Sequence, residues 1–432
     1  MSTLARYETR PLECYRKGKE LREGYYQRLY QAREQGKVIC AGIANRSSVL
    51  PASLEGCEPM ECSSHLLTIG SNREMATACV EALEARGYQG DFCAGMRVFL
   101  GAMFLNRSPW GEFLKPDLVL QVQYCEPLAK TAQVLSEEMS VPYFCLDLPV
   151  IVKENRQDFH TRYFVDQMLE AIEWMERVTG RRFSDEALIE GVKNEWRCLE
   201  LWARICELNK AIPAPLDQRT LFSLSAPVNM MRHRAEAVTF YKEVYDEIQW
   251  RVQNGIAAVA TERFRLLHEG LQVLYFNQVM RYPQKYGAVF IGSHFDLALG
   301  SAFERREDGS WSVMASLEER GVAMRTREDA LKAVADFFLI NPTFNGFALS
   351  WRAEEVVKVA QDWHAQGVVF HMDRGCQGLT AGAAEARLLL QKAGIPSMVY
   401  EASYADPRGF AEVQVLDRLD AFLESVGLKP LG

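Results

Sequence analysis

Three of the eleven cysteines of this 432-residue chain stand at points where a parallel sheet would place a ligand. Cys125 lies just past the apolar run DLVLQVQ (117–123), Cys376 just past GVVFHMD (367–373), and Cys93 inside GYQGDFCAGMRVFLG, between an expected strand and a helix. Loops at the carboxyl ends of parallel strands form the ligand crevice of open α/β sheets. The glycines around Cys93 allow tight turns and close approach of backbone to a ligand. Three thiolates meeting at one cleft suit a cubane iron–sulfur cluster with one iron left open. The same residue type also serves as a small buried hydrophobe, and spacing does not separate the two readings.

Two of these cysteines belong to an internal repeat. PDLVLQVQYCEPLAKTAQVLSEEMSVPYFCLDLP and QGVVFHMDRGCQGLTAGAAEARLLLQKAGIPSMVYEASYADP share one plan: buried strand, cysteine, helix, proline, next strand, acidic residue, proline. Facing copies would bring Cys125 and Cys376 together across an interdomain cleft. Chance similarity between two βαβ units is the alternative.

The elements that must position these residues follow from hydrophobic period. Residues 1–36 read as an amphipathic helix, with Leu21, Tyr25, Leu29 and Tyr30 near a 3.6 period. KVICAGI, DLVLQVQ and PYFCLDLPV (142–150) read as buried strands separated by helices such as EMATACVEALEARG, which implies βαβ units and a mostly parallel sheet. From about 155 the pattern is helical. One helix stops at Gly180, and a second is capped by Ser184, with Asp185 and Glu186 in its first turn, running to about Lys210. Strand candidates return at 288–293, 367–373 and 397–403, with helices near 324–338, 353–365 and at the C-terminal end. The expected division is a helical segment 1–36, an α/β domain 37–154, a helical connector 155–230 and a second α/β domain 231–432.

Composition narrows the function. A formal charge of −8, with 48% hydrophobic and 25% charged residues, fits a globular protein and argues against a general nucleic-acid binder. No window reaches the roughly 18 apolar residues of a membrane span, and MSTLARYETRPLECYRKGKE has no apolar signal core, so a cytoplasmic protein is expected. An odd cysteine count without CxxC, and histidines without HExxH, exclude the usual zinc spacings. GxGxxG and GxxxxGK[ST] are absent, so ATP, if used, is expected on another protein.

Other chemistry-bearing residues have bland readings beside them. Cys198 and Cys206 share a helix face in WRCLELWARIC, Cys40 and Cys145 sit in apolar strands, and Cys79 is helical, all suited to packing; Cys14 is uninformative. His371, on the strand before Cys376, and His294, in GSHFD, are candidate proton donors or plain core histidines. Glu126 suits a helix start, and Arg97 and Arg374 could meet phosphates or neutralise carboxylates.

From about residue 20 to its end the sequence resembles the 2-hydroxyacyl-CoA dehydratase / benzoyl-CoA reductase family of iron–sulfur subunits. GYQGDFCAGMRVFLG, PDLVLQVQYCEPLAKT, SVPYFCLDLP, GVVFHMDRGCQGLTAG and YEASYADPRGFAEVQVLDRLDAF carry the resemblance. It implies a 4Fe–4S cluster on Cys93, Cys125 and Cys376, and two flavodoxin-like domains with helices between. It also implies a homologous second subunit, a separate ATP-hydrolysing iron–sulfur activator, and one-electron reduction of an acyl-CoA thioester to a ketyl-type radical. MMRHRAEAVTFYKEVYDEIQWRVQNG is similar to the larger cluster-bearing benzoyl-CoA reductase subunit, whereas MDRGC is closer to the dehydratases. Reduction of an aromatic acyl-CoA is therefore the leading expectation, with 2-hydroxyacyl-CoA dehydration second. GCEPMEC (56–62) adds Cys57 and Cys62, so a double-cubane cluster or an electron-relay partner subunit is a third reading. In HEGLQVLYF, Glu269-Gly270 lacks the family's nearby proline, a departure in the loop expected on the substrate side.

Overall fold

The computed structural model describes residues 6–43, 48–88, 90, 92–123, 125–149, 151, 156–298, 302–307, 310–340 and 349–431. Gln89, Asp91 and Tyr124, inside two of the motifs above, and the expected boundary at 154–155 lie outside these residues.

Two four-stranded parallel sheets organise the chain. Their strands, numbered in chain order, are β1 (Val38–Gly42), β2 (Cys57–Glu61), β3 (Leu118–Gln123) and β4 (Tyr143–Asp147) in the first sheet. The second holds β5 (Phe264–Glu269), β6 (Ala288–Gly292), β7 (Gly367–Asp373) and β8 (Ser397–Ala402). The spatial orders, β2-β1-β3-β4 and β6-β5-β7-β8, are the same topology twice. In each sheet the order reverses between its first and third strands, and that switch point is where open α/β sheets bind ligands. Cys125 follows β3 and Cys376 follows β7, so the sequence repeat is a structural one.

The inner strands β1, β3 and β7 are buried on both faces, which is why they read as continuous apolar runs. Two strands were not visible in the sequence. CEPME carries a proline and two glutamates, yet forms β2; Pro59 is accommodated because β2 is an edge strand. FRLLHE forms β5 although Arg265, His268 and Glu269 are fully buried. Several of their polar atoms find partners: Arg265 donates to the Trp363, Ala211 and Asn209 carbonyls, His268 Nε2 lies 2.6 Å from the Tyr400 hydroxyl, and Glu269 Oε1 accepts the His294 N–H.

Between the sheets the chain is helical. Asp158–Thr179 ends where Gly180 adopts φ +66°, a left-handed conformation that suits glycine. Asp185–Leu208 begins where the Ser184 side chain accepts the Ala187 N–H. The helical run continues through Ala235–Gln253, past residue 230, because that helix packs against Asp185–Leu208, with Tyr241 edge-on to Trp202. Cys198 and Cys206 are wholly buried in this packing, as a helix-face reading expects. Asn209 Nδ2 donates to the Ile291 carbonyl at 2.6 Å, and Gln218 Nε2 donates to the His268 carbonyl at 2.9 Å, so the connector is bonded to the second sheet. The first helix spans Cys14–Glu34, preceded by Glu8–Thr9, which pairs with Ile256–Ala257.

Helices Arg73–Glu84 and Ala94–Phe104 cross at Gly101, where an added Cβ would stand 1.9 Å from the Cys79 carbonyl oxygen, a backbone atom that cannot swing away. Gly101→Ala is expected to lower unfolding free energy by about 3 kcal/mol, measured by urea titration against wild type.

Candidate functional site

The helix Ala94–Phe104 starts at Cys93, Glu126–Met139 at Cys125 and Gln377–Thr380 just after Cys376, so each cysteine stands at a helix N-terminus. All three line one cavity of about 1220 Å³. The three residues are half-buried, deep enough for burial to push the thiols up, Cys125 to about 12. Two of them also feel another cysteine: Cys93 raises Cys125, and Cys93 and Cys125 both raise Cys376. Backbone amides oppose this, Met96 and Gly95 favouring the Cys93 thiolate, Leu128 that of Cys125 and Leu379 that of Cys376.

Close backbone approach brings these loops together. An added Cβ on Gly375 would lie 2.7 Å from the Phe92 carbonyl oxygen and 3.2 Å from Cys93 Cα, so the turn before Cys376 abuts the residue before Cys93. An added Cβ on Gly95 would lie 1.6 Å from the Tyr404 hydroxyl. Asp373 holds the turn by accepting the Gly375 and Tyr404 N–H groups, each at 2.8 Å. Behind Cys93, Arg97 pairs with Asp406 at 3.0 Å and Glu84 at 3.3 Å, and Arg408 pairs with Glu84 at 2.6 Å. These pairs tie the segment after β8 to the helices of the first half. Arg97 is thus committed to carboxylates. Arg374 pairs with Glu401 at 2.6 Å but lines the cavity, as does Glu126 at its helix start.

The donor set fits a multinuclear iron–sulfur group. Burial disfavours a thiolate at each of the three positions, and binding to a cationic centre is what would stabilise them as thiolate ligands. Among the described residues no three His, Cys, Asp or Glu side chains are arranged to hold a single metal ion. A cluster attaches each thiolate to a different iron and makes no such demand. Cys57 and Cys62 are elsewhere: Cys57 opens β2 opposite Val38, and Cys62 is buried with its thiol 3.6 Å from the Met60 carbonyl. Neither lines the cavity. Cys40 is enclosed within β1, Cys79 lies buried in Arg73–Glu84, and Cys145 lies in β4. Cys14 opens the first helix, its N–H donating to Glu247.

Residues 48–426 match the family described as 2-hydroxyglutaryl-CoA dehydratase, D-component. The chain belongs to this family. It is 23% identical over 398 residues to the (R)-phenyllactyl-CoA dehydratase alpha subunit of Clostridium sporogenes, covering 91% of each chain. It is 24% identical to the alpha subunit of lactoyl-CoA dehydratase of Anaerotignum propionicum, over 91% of this chain and 92% of the other. It is also 24% identical to a benzoyl-CoA reductase subunit of Thauera aromatica, over 96% of this chain and 95% of the other. No helix among the described residues is long and apolar enough to cross a membrane.

The cavity has walls that sequence reasoning missed. Tyr26 and Arg22 come from the first helix, Trp110 from the segment after Ala94–Phe104, Arg219 from Gln218–Leu224 and Tyr404 from the segment after β8. Only Tyr404 lay in a motif already singled out, YEASYADPRGF; the others have no local signal.

Behind the cavity lies a buried polar cluster. Glu269 Oε1 accepts the His294 N–H at 2.7 Å while Oε2 has no hydrogen-bond partner, and burial pushes this carboxyl up to about 7 despite that bond and Arg352. Asp296, bonded to Ser293 and Gln218, is likewise pushed up to about 7 by burial. His294 is pushed down to about 3 by burial and then by Arg352, and His371, bonded to the Leu271 carbonyl and stacked on Tyr400, is also lowered by burial. These histidines are neutral core groups rather than cavity-lining acids.

A carboxyl whose folded pKa exceeds its unfolded value stabilises the fold below the unfolded value and loses that contribution as pH rises through the folded one. Glu269→Gln keeps the acceptor for His294 and removes the ionisation. The variant should therefore gain on wild type between pH 5 and pH 8, by up to about 3 kcal/mol. Urea unfolding at the two pH values checks this; a pH-independent difference would contradict it.

Proposed function

We propose that this chain is the cluster-bearing subunit of an acyl-CoA-processing enzyme, with a 4Fe–4S cluster on Cys93, Cys125 and Cys376. In this reading it reduces an aromatic acyl-CoA of the benzoyl-CoA type by single electrons. It works beside a homologous second subunit, and an ATP-hydrolysing iron–sulfur activator supplies the electrons. The observation that carries the reading is the convergence of three cysteines from distant crossovers on one wall of a single large cavity. When bound, such a cluster supplies low-potential electrons, and three thiolates leave one iron open to a non-protein ligand.

The chain's own residues supply the rest. Phe92, Met96, Leu271 and Leu379 share the cysteine-lined cavity and would exclude water around an apolar acyl end. Arg22 and Arg219 are half-buried, line the same cavity and form no ion pair among the described residues. A guanidinium matches phosphate geometry bidentately, so these two are assigned to the CoA phosphates. Dehydration of a 2-hydroxyacyl-CoA is the second reading, favoured by the dehydratase relatives.

Replacing Cys93, Cys125 or Cys376 by serine should remove cluster absorbance and bound iron, while Cys198→Ser keeps both; equal iron in all four variants would refute the ligand assignment. Arg22→Ala and Arg219→Ala should each raise KM for the CoA thioester about tenfold, the scale of one lost charge-assisted bond, with kcat little changed in steady-state assays. Electron counting separates the two chemistries. Ring reduction consumes two electrons per product, so turnover should track reductant and ATP. Dehydration is redox-neutral, and turnover of a 2-hydroxyacyl-CoA after a priming electron would replace the reductase reading.

A further inference from the structure

Tyr404 belongs to the segment that leaves β8, and its side chain reaches the helix start at Cys93. It is 4% exposed, and its hydroxyl lies 3.8 Å from Cys93 Sγ, the hydrogen-bond partner of that hydroxyl among the described residues. Its backbone is held at both ends of the peptide. The N–H donates to Asp373 Oδ2 at 2.8 Å, and the carbonyl accepts the Leu274 N–H at 2.9 Å. Gly95 leaves the room the ring needs, since an added Cβ there would overlap the hydroxyl.

In the free protein either the thiol or the phenol could donate. A thiolate bound to iron has no proton to give, so with the cluster in place Tyr404 is the only possible donor of the pair. We infer that Tyr404 is a positioning residue that donates an O–H···S hydrogen bond to the Cys93 ligand and thereby raises the reduction potential of the cluster. The inference rests on the cluster assignment made under the proposed function. Its physical basis is the added negative charge of the reduced cluster: a donor aimed at a ligating sulfur stabilises that state more than the oxidised one. The tyrosine transfers no electron and no proton. It sets the driving force at which an electron can be accepted from a reductant and passed to a thioester.

The test is an EPR-monitored redox titration of anaerobically reconstituted full-length protein, alongside iron and sulfide content. Tyr404→Phe keeps the ring and removes the hydroxyl; it should retain iron and shift the midpoint potential to a more negative value. Replacing residue 404 by 3-fluorotyrosine, a stronger donor of nearly the same shape, should shift it the other way. Opposite shifts support the inference. Should Tyr404→Phe fail to hold iron, the fluorotyrosine protein decides, since an upward shift supports the inference and an unchanged potential overturns it. An unchanged potential in an iron-replete Tyr404→Phe protein also overturns it, while leaving the cluster assignment intact. A wild-type protein that binds no iron overturns the cluster assignment and the inference together.

Discussion

The Asp373 carboxylate accepts the N–H of Gly375 with one oxygen and the N–H of Tyr404 with the other, each at 2.8 Å, and the arrangement of the cysteine-lined wall follows from that pair of bonds. One bond shapes the turn that presents Cys376. The other fixes the path of the chain leaving β8, which carries Tyr404 to Cys93 and Asp406 and Arg408 to Arg97 and Glu84. Asp373 is nearly buried, where a carboxylate must be well bonded to be tolerated. The two bonds thus tie the second sheet's switch point to the first half of the chain.

Glycines set how closely these parts approach. Gly375 against Phe92, Gly95 against Tyr404 and Gly270 against the His371 carbonyl oxygen all stand where a Cβ would collide. At Gly270 the backbone also has φ +97°, so the Glu269-Gly270 step that departs from the family pattern in its following residues still performs a turn that glycine suits. Each contact joins segments far apart in sequence. They make the cavity wall a property of packing between elements rather than of any one motif.

Electrostatics divides the molecule's buried polar groups into two sets. Around the three cysteines, burial disfavours thiolates, with repulsion from neighbouring cysteines adding to it at Cys125 and Cys376, while helix-start amides favour them. Behind the wall, Glu269, Asp296, His294 and His371 are driven toward their neutral forms by burial. That second cluster supports the loop bearing Leu271 and Gln272, which does line the cavity.

The sequence by itself determined the α/β class, most of the strands, the capped helices at Ser184 and Gly180, and the three loop cysteines. Apolar runs, capping residues and, for Cys125 and Cys376, strand-end position are local signals that local physics suffices to read, whereas Cys93, expected after a strand, stands between the helices Arg73–Glu84 and Ala94–Phe104. The repeated plan around Cys125 and Cys376 was legible for the same reason, and the identical strand orders show it to be a shared topology. Strands β2 and β5 were hidden because Pro59 is tolerated only at an edge, and the buried Arg265 and His268 of β5 bond to groups far away in sequence, Trp363 and Tyr400 among them. Tertiary structure alone decided that Cys93 joins the other two while Cys57 and Cys62 do not. It also committed Arg97 to Asp406, and it brought Arg22, Arg219, Trp110 and Tyr404 to one cavity. Those outcomes depend on which crossovers face each other, and a crossover's direction is set by the packing of whole sheets and helices rather than by the residues within it.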